Sequence, residues 1–236
     1  MSRGMYFNFP VALLSVFMRD HEYALRSILE YAIYERCKDP IEVFGYLDVS
    51  EEERISEAEK YFGLSIGGDI DVFGSGKTLY LNYSEGYPMV GISKKMWFDY
   101  FKNHKTDFEK VSLLGFLAIK SIVQNKTYCK VTNRFWLSRM DGKAKSISDN
   151  SELSKEIQEY SNRWQLTKIK DELILNWGLT HYSRYTRGFY VSFKLSLEDL
   201  IYQAEKKRKS TLLKQKKFAE KVALNRVLDR IKNEPP

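Results

Sequence analysis

Cysteine is almost missing from this chain of 236 residues, since only Cys37 and Cys129 occur and they lie far apart. Two thiols in separate segments make neither a disulfide framework nor a cysteine metal site, and a reducing cytoplasm is the compartment expected. Histidine is as scarce. His21, His104 and His181 form no HExxH pair and no ligand cluster, so no metal is expected. A nucleophile elbow, a dinucleotide fingerprint, internal repeats and low-complexity tracts are lacking too, and neither catalytic residues nor a cofactor is assigned. Long apolar runs are also absent. The longest, Phe9 to Met18, is followed at once by Arg19-Asp20 without a small-residue cleavage site, and it is far too short to span a bilayer. It reads as a buried first helix, and no membrane partner is expected.

Gly76-Lys77-Thr78 matches the tail of a nucleotide-binding phosphate loop, yet the position of that loop's first glycine holds Asp71, whose carboxylate would repel a phosphate. Thr78 to Tyr83 alternates polar and apolar residues, as does Ile70 to Val72. The stretch therefore reads as a β-hairpin turning at Gly74-Ser75-Gly76-Lys77, with Asp69 and Asp71 on its solvent side.

What the sequence does have is aromatic side chains (16 Tyr, 14 Phe, 4 Trp) and a net charge of +7 that is unevenly placed. Residues 1–106 hold twelve Lys and Arg against sixteen Asp and Glu, a balance of −4. Residues 107–195 hold fifteen against nine, or +6, and residues 196–236 hold eleven against six, or +5. A basic balance confined to residues 107–236, behind an acidic stretch of 106 residues, suggests that a polyanion, most plausibly nucleic acid, meets the second half.

Local signals mark the elements. Tyr23, Leu25, Ile28, Leu29, Ala32 and Ile33 recur at helical spacing from Glu22 to Cys37, and Asp39-Pro40 stops the helix. Ser50-Glu51-Glu52-Glu53 is a capping box for a helix reaching Phe62 and Gly63. Ser93 caps a short helix carrying Met96, Trp97, Tyr100 and Phe101. The polar stretch Lys102 to Thr106 is the candidate domain boundary, which gives regions 1–106, 107–196 and 197–236.

From Asp107 the order of elements becomes specific. A helix from Glu109 to Gln124 is followed by a short strand from Tyr128 to Val131, and Thr132 caps a helix from Asn133 to Met140. Ser151 to Tyr160 reads as a further helix, and Arg163 to Gly178 as another with Leu166, Ile169, Leu173, Ile174 and Trp177 inward. Then comes "NWGLTHYSRYTRGFYVSFKLS": a stop at Gly178, a strand from Thr180 to Tyr185, a turn at Thr186-Arg187-Gly188, and a strand from Phe189 to Leu195. Across about 107–196 this order resembles the winged-helix superfamily, with about twenty residues, Asp141 to Tyr160, where that family has a short turn.

The resemblance implies a recognition helix at Arg163 and a wing at Arg187, with double-stranded DNA as the partner. Arg163, Gln165 and Lys168 lie in the first turns of the helix, where groove contacts are made. Lys168 and Trp164 point away from the Leu166 and Leu173 face, and Arg163 lies nearer its flank. Arg184, Tyr185 and Arg187 would touch phosphate at the wing. Ser196-Leu197-Glu198-Asp199 caps a last helix whose residues 206–221 hold eight basic side chains, a run able to lie along phosphates.

The expected fold is thus α+β and mainly helical: an N-terminal helical region with a β-hairpin, a C-terminal winged-helix domain, and a basic helix after it. The expected function is non-catalytic DNA binding, as a transcriptional regulator or a replication-initiator-like protein, with a homodimer or a protein partner engaged through the N-terminal region. The alternative is a protein–protein interaction module on a winged-helix scaffold. RNA binding through Tyr182, Tyr185 and Tyr190 ranks third.

Overall fold

The computed structural model describes residues 5–45, 48–67, 70–184 and 188–233, so Asp69, Tyr185 and Arg187 lie outside the described residues. The chain is α+β and mostly helical with two small sheets. Strand β1 (Tyr6–Pro10) runs into a 3-10 turn at Val11–Val16, and helices α1 (His21–Cys37), α2 (Pro40–Phe44) and α3 (Glu51–Phe62) follow. A π turn at Val72–Gly76 leads into α4 (Lys77–Tyr83). Strand β2 (Met89–Ser93) and helices α5 (Lys94–Lys102) and α6 (Asp107–Val123) come next, then β3 (Cys129–Val131) and α7 (Asn133–Met140). The chain closes with α8 (Lys155–Gln158), α9 (Arg163–Asn176), β4 (Thr180–Tyr182), β5 (Phe189–Ser192) and α10 (Leu197–Asn233).

Helix starts follow the capping chemistry of the sequence. The Ser50 hydroxyl accepts from the Glu53 N–H while the Glu53 carboxylate accepts from the Ser50 N–H, and Thr106 and Glu109 repeat the exchange at the start of α6. Ser93 and Thr132 cap α5 and α7 as their sequences imply.

Three elements differ from expectation. The Phe9–Met18 run is not a helix: β1 ends at Pro10 and a 3-10 turn follows. β1 pairs antiparallel with β2, eighty residues on, with Tyr6 opposite Ser93 and Pro10 opposite Met89. The β-hairpin expected over Ile70 to Tyr83 is absent. The Asp71 carboxylate accepts from the N–H groups of Gly74 and Ser75, both at 2.9 Å, and winds the chain into a π turn. Gly76 then passes so close to α1 that an added Cβ would sit 2.7 Å from the Glu30 carbonyl oxygen. Beyond it, Tyr80 rests on Tyr31 and Tyr34 with centroids 5.8 and 5.5 Å apart, while Leu81 is 68 % exposed. An alternation of six residues is too short to separate strand from helix, and packing on α1 decides for helix. Finally, the helix expected over Ser151–Tyr160 is a 3-10 turn at Asn150–Glu152 followed by the single turn of α8.

The core is continuous along the chain. Phe7 packs edge-on against Trp97 at 5.6 Å, and the Trp97 indole N–H donates to the Leu25 carbonyl at 2.9 Å. Tyr100 of α5 donates to the Glu109 carbonyl in α6 at 3.0 Å. Helix α6 lies at the centre, buried through Val111, Leu114, Leu117 and Ala118, and touches β2 on one side and α7 and α9 on the other. Among the described residues, no helix is long and apolar enough to cross a membrane.

Candidate nucleic-acid interface

Beyond residue 107 a three-stranded antiparallel sheet has the order β3-β5-β4, with Val131 opposite Phe189 and Tyr182 opposite Tyr190. Its inward residues Val131, Phe189 and Val191 are buried, whereas Tyr182, Tyr190 and Lys130 stand on the outer face. Just before β5, the φ of +98 at Gly188 and the Val131 carbonyl oxygen 2.5 Å from an added Cβ both demand glycine.

Helix α9 is positioned by its two ends and its apolar face. The Asn162 side chain accepts from the Gln165 N–H at 2.9 Å, and Gly178, at φ +68, turns the chain into β4. Leu166, Ile169 and Leu173 are buried, and Ile169 and Leu173 close on Gly115 of α6, which approaches them because it has no side chain. On the opposite side Trp164, Lys168, Asp171 and Leu175 share one exposed stripe, with Trp164 67 % and Leu175 78 % exposed.

Arg163 is exposed, as its place on the flank of α9 implies, and Gln165 is partly buried. The Lys168 ammonium lies 4.5 Å from the Phe108 ring and 5.5 Å from the Trp164 ring, so it leans over the start of α6. Arg184 turns toward α10 instead of α9. Its guanidinium is 3.5 Å from the Glu205 carboxylate, which also accepts from the Tyr182 hydroxyl at 3.0 Å and the Arg208 Nε–H at 2.9 Å. These hydrogen bonds and cations hold the Glu205 carboxyl below its ordinary range. The structure therefore gathers Arg163, Gln165 and Lys168 on α9 and sets Arg184 apart, at the junction of the sheet and α10.

Lys170, which the sequence reading did not single out, and a groove that gathers residues partly named there join these parts. Lys170 donates to Asn133 Oδ1 at 2.9 Å, and its ammonium lies 4.0 Å from the Phe189 ring and 5.6 Å from that of Trp136. It ties the middle of α9 to the first residue of α7 and to the strand leaving the turn, and burial pushes its ammonium down to about 8. The signal in the sequence was a lysine directly after Ile169, on the flank of the inward face. The His181 ring lies tilted against Phe189 with centroids 5.2 Å apart, and burial, then the charge of Lys170, push it down to about 4. It is neutral at pH 7. The groove, of about 350 Å³, lies on the outside between sheet and α10, lined by Lys130, Tyr182, Arg184, Tyr190, Lys207 and Arg208. Tyr182 and Tyr190 stack there at 6.5 Å, and the Lys130 ammonium lies 5.9 Å from the Tyr190 ring.

The Asp141–Tyr160 segment is folded onto α7. Ile147, Leu153 and Ile157 are buried, the Ile147 N–H donates to the Ser138 hydroxyl at 3.1 Å, and Asp141 accepts from the Ser154 N–H at 3.1 Å.

No family model, no curated protein and no solved structure matches this chain.

Proposed function

We propose that the protein is a non-catalytic, duplex DNA-binding protein of winged-helix type that acts as a transcriptional regulator or a replication-initiator-like protein. The observation that carries this reading is the succession α6-β3-α7-α8-α9-β4-β5 with the antiparallel order β3-β5-β4, closed by Lys170 bridging α9, the start of α7 and Phe189 at the start of β5. Seven residues separate Lys170 from Arg163, about 10 Å of helix axis. On that stretch Arg163 and Gln165 offer donors and an acceptor, and just beyond it an exposed Asp171 suits a cytosine amino group. The +6 and +5 balances of the second and third regions favour a phosphate backbone.

One specific observation favours the second reading, a protein-interaction module: the α9 stripe includes two large apolar side chains, Trp164 and Leu175. Selection of bound sequences from a random duplex pool, with the wild type and with Arg163→Ala/Gln165→Ala, separates the two. The DNA reading expects an enriched motif that changes or weakens in the variant. Replacing Arg184 and Arg187 together by Ala should weaken all sequences alike and flatten the salt dependence. Absence of duplex binding at low salt would refute the DNA reading and leave the interaction module.

A further inference from the structure

The net charge of the whole chain sits on twenty residues of α10. Residues 206–225 hold eight Lys and Arg against Glu220 alone, +7, and the other 216 residues hold thirty of each sign. This stretch follows Leu200 and Ala204, the buried residues by which α10 packs on β4 and β5. At 100° per residue Lys206, Lys207, Lys214, Lys217 and Lys221 fall within an arc of about 100°, centred about a quarter turn from the packed side. All five are exposed. The stripe is about 22 Å long at 1.5 Å per residue.

A helix that merely faces water interleaves opposite charges three or four residues apart. Here Lys214, Lys217 and Lys221 are like-charged neighbours at those spacings, which weakens a helix standing alone. The nearby carboxylates are engaged elsewhere: Glu205 by Arg184, Arg208 and Tyr182, and Glu220 beside Lys216 at 3.9 Å. Duplex DNA carries a charge about every 1.7 Å of its axis, so a straight cationic row of this length fits a run of phosphates and relieves the repulsion.

We infer that α10 is a second duplex contact, separate from α9, whose five-lysine stripe lies along the phosphate backbone and adds affinity without sequence preference. The inference rests on the DNA-binding reading above. Its test is duplex binding by the full-length protein at a series of salt concentrations, using mixed-sequence DNA of about 30 base pairs, roughly three helical turns. The proteins compared are the wild type, a fivefold Lys→Gln variant at 206, 207, 214, 217 and 221, a fivefold Lys→Arg variant at the same positions, and a Lys209→Gln/Lys216→Gln control. Gln and Arg match Lys in helix propensity, so circular dichroism should show α10 retained.

The Gln variant should lower the slope of log affinity against log salt by about 4 to 5, at 0.9 per phosphate, with the ranking of sequences unchanged. The Arg variant should keep the wild-type slope, and the control should change it by less than about one. A Gln variant within about one of the wild-type slope overturns the α10 contact alone, as does a control whose loss per lysine is as large. A wild type that binds no duplex at any salt overturns the DNA reading itself.

Discussion

Lys170 is a cation that the fold holds at a cost, and replacing it with methionine measures that cost. Burial lowers its titration from 10.5 to about 8, which corresponds to about 3 kcal/mol. The side chain is only partly buried, so solvent screening reduces this to about 1–2 kcal/mol. Opposing it, an ammonium 4.0 Å from the Phe189 ring contributes about 0.5–1 kcal/mol, and the Asn133 partner is exposed and can turn to water. Desolvation wins by a small margin. Lys170→Met keeps the length of the stem and should stabilise the protein at pH 7 by about 1 kcal/mol, raising Tm by about 2–4 °C. Sign and window follow from linkage. Below pH 8 the ammonium is charged in both folded and unfolded chains and the penalty is complete. Between 8 and 10.5 the folded chain sheds the proton first, so wild-type stability rises with pH and the advantage of the variant disappears. Urea unfolding of both proteins at pH 7, 8.5 and 10 reads this directly. The difference isolates Lys170, because the thiols of Cys37 and Cys129, pushed up to about 11 by burial, titrate in both proteins. A variant less stable than wild type at pH 7, or an advantage that does not shrink with pH, would show that the aromatic contacts outweigh desolvation.

Other outcomes follow from the same contacts. Glu205→Ala releases Arg184, Arg208 and the Tyr182 hydroxyl, so on the DNA reading duplex affinity at low salt should rise several-fold; an anisotropy titration showing a loss would place these cations outside the interface. His181, held near 4, binds its proton more weakly than an unfolded histidine, so the wild type should lose stability as pH falls from 6.5 toward 4, and His181→Gln should remove that part of the loss. Glu30 and Glu35, raised by burial, act in the opposite direction in both proteins, so thermal scans of the pair isolate the histidine. Gly115→Ala puts a Cβ 3.1 Å from both Ile169 Cγ2 and Trp136 Cζ2. Overpacking of about 1–3 kcal/mol against a helix-propensity gain of about 1 should leave a net loss of about 1 kcal/mol, and an unchanged urea midpoint would mean that α9 moves away freely.

Legibility in the sequence tracked how local the determining interaction is. The ends of α3, α5 and α7 were readable because Ser50, Ser93 and Thr132 act within three residues of themselves. α9 was readable from the spacing of Leu166, Ile169 and Leu173 together with Gly178, although Ile174, read as inward, is 39 % exposed. The β1–β2 pair was not, because its two strands come together from eighty residues apart and each is only five residues long. The Val72–Gly76 turn was hidden for another reason: Asp71, read as a repellent for phosphate, is itself the anion that fills the nest of Gly74 and Ser75 amides. At the candidate interface the charged residues could be named but not their partners. Nothing local to Arg184 announces Glu205 twenty-one residues on, and nothing near Lys170 announces Asn133.

The length of α10 fixes how the molecule would look in solution. Among the residues of α10 whose burial is described, Ala204 is the last buried one, and residues 205–225 follow it exposed or partly exposed, a rod of about 31 Å. A compact chain of this size has a radius of gyration of about 17 Å. The rod is therefore nearly twice that length, and small-angle scattering should give a pair-distance distribution with a globular peak and a long, low shoulder.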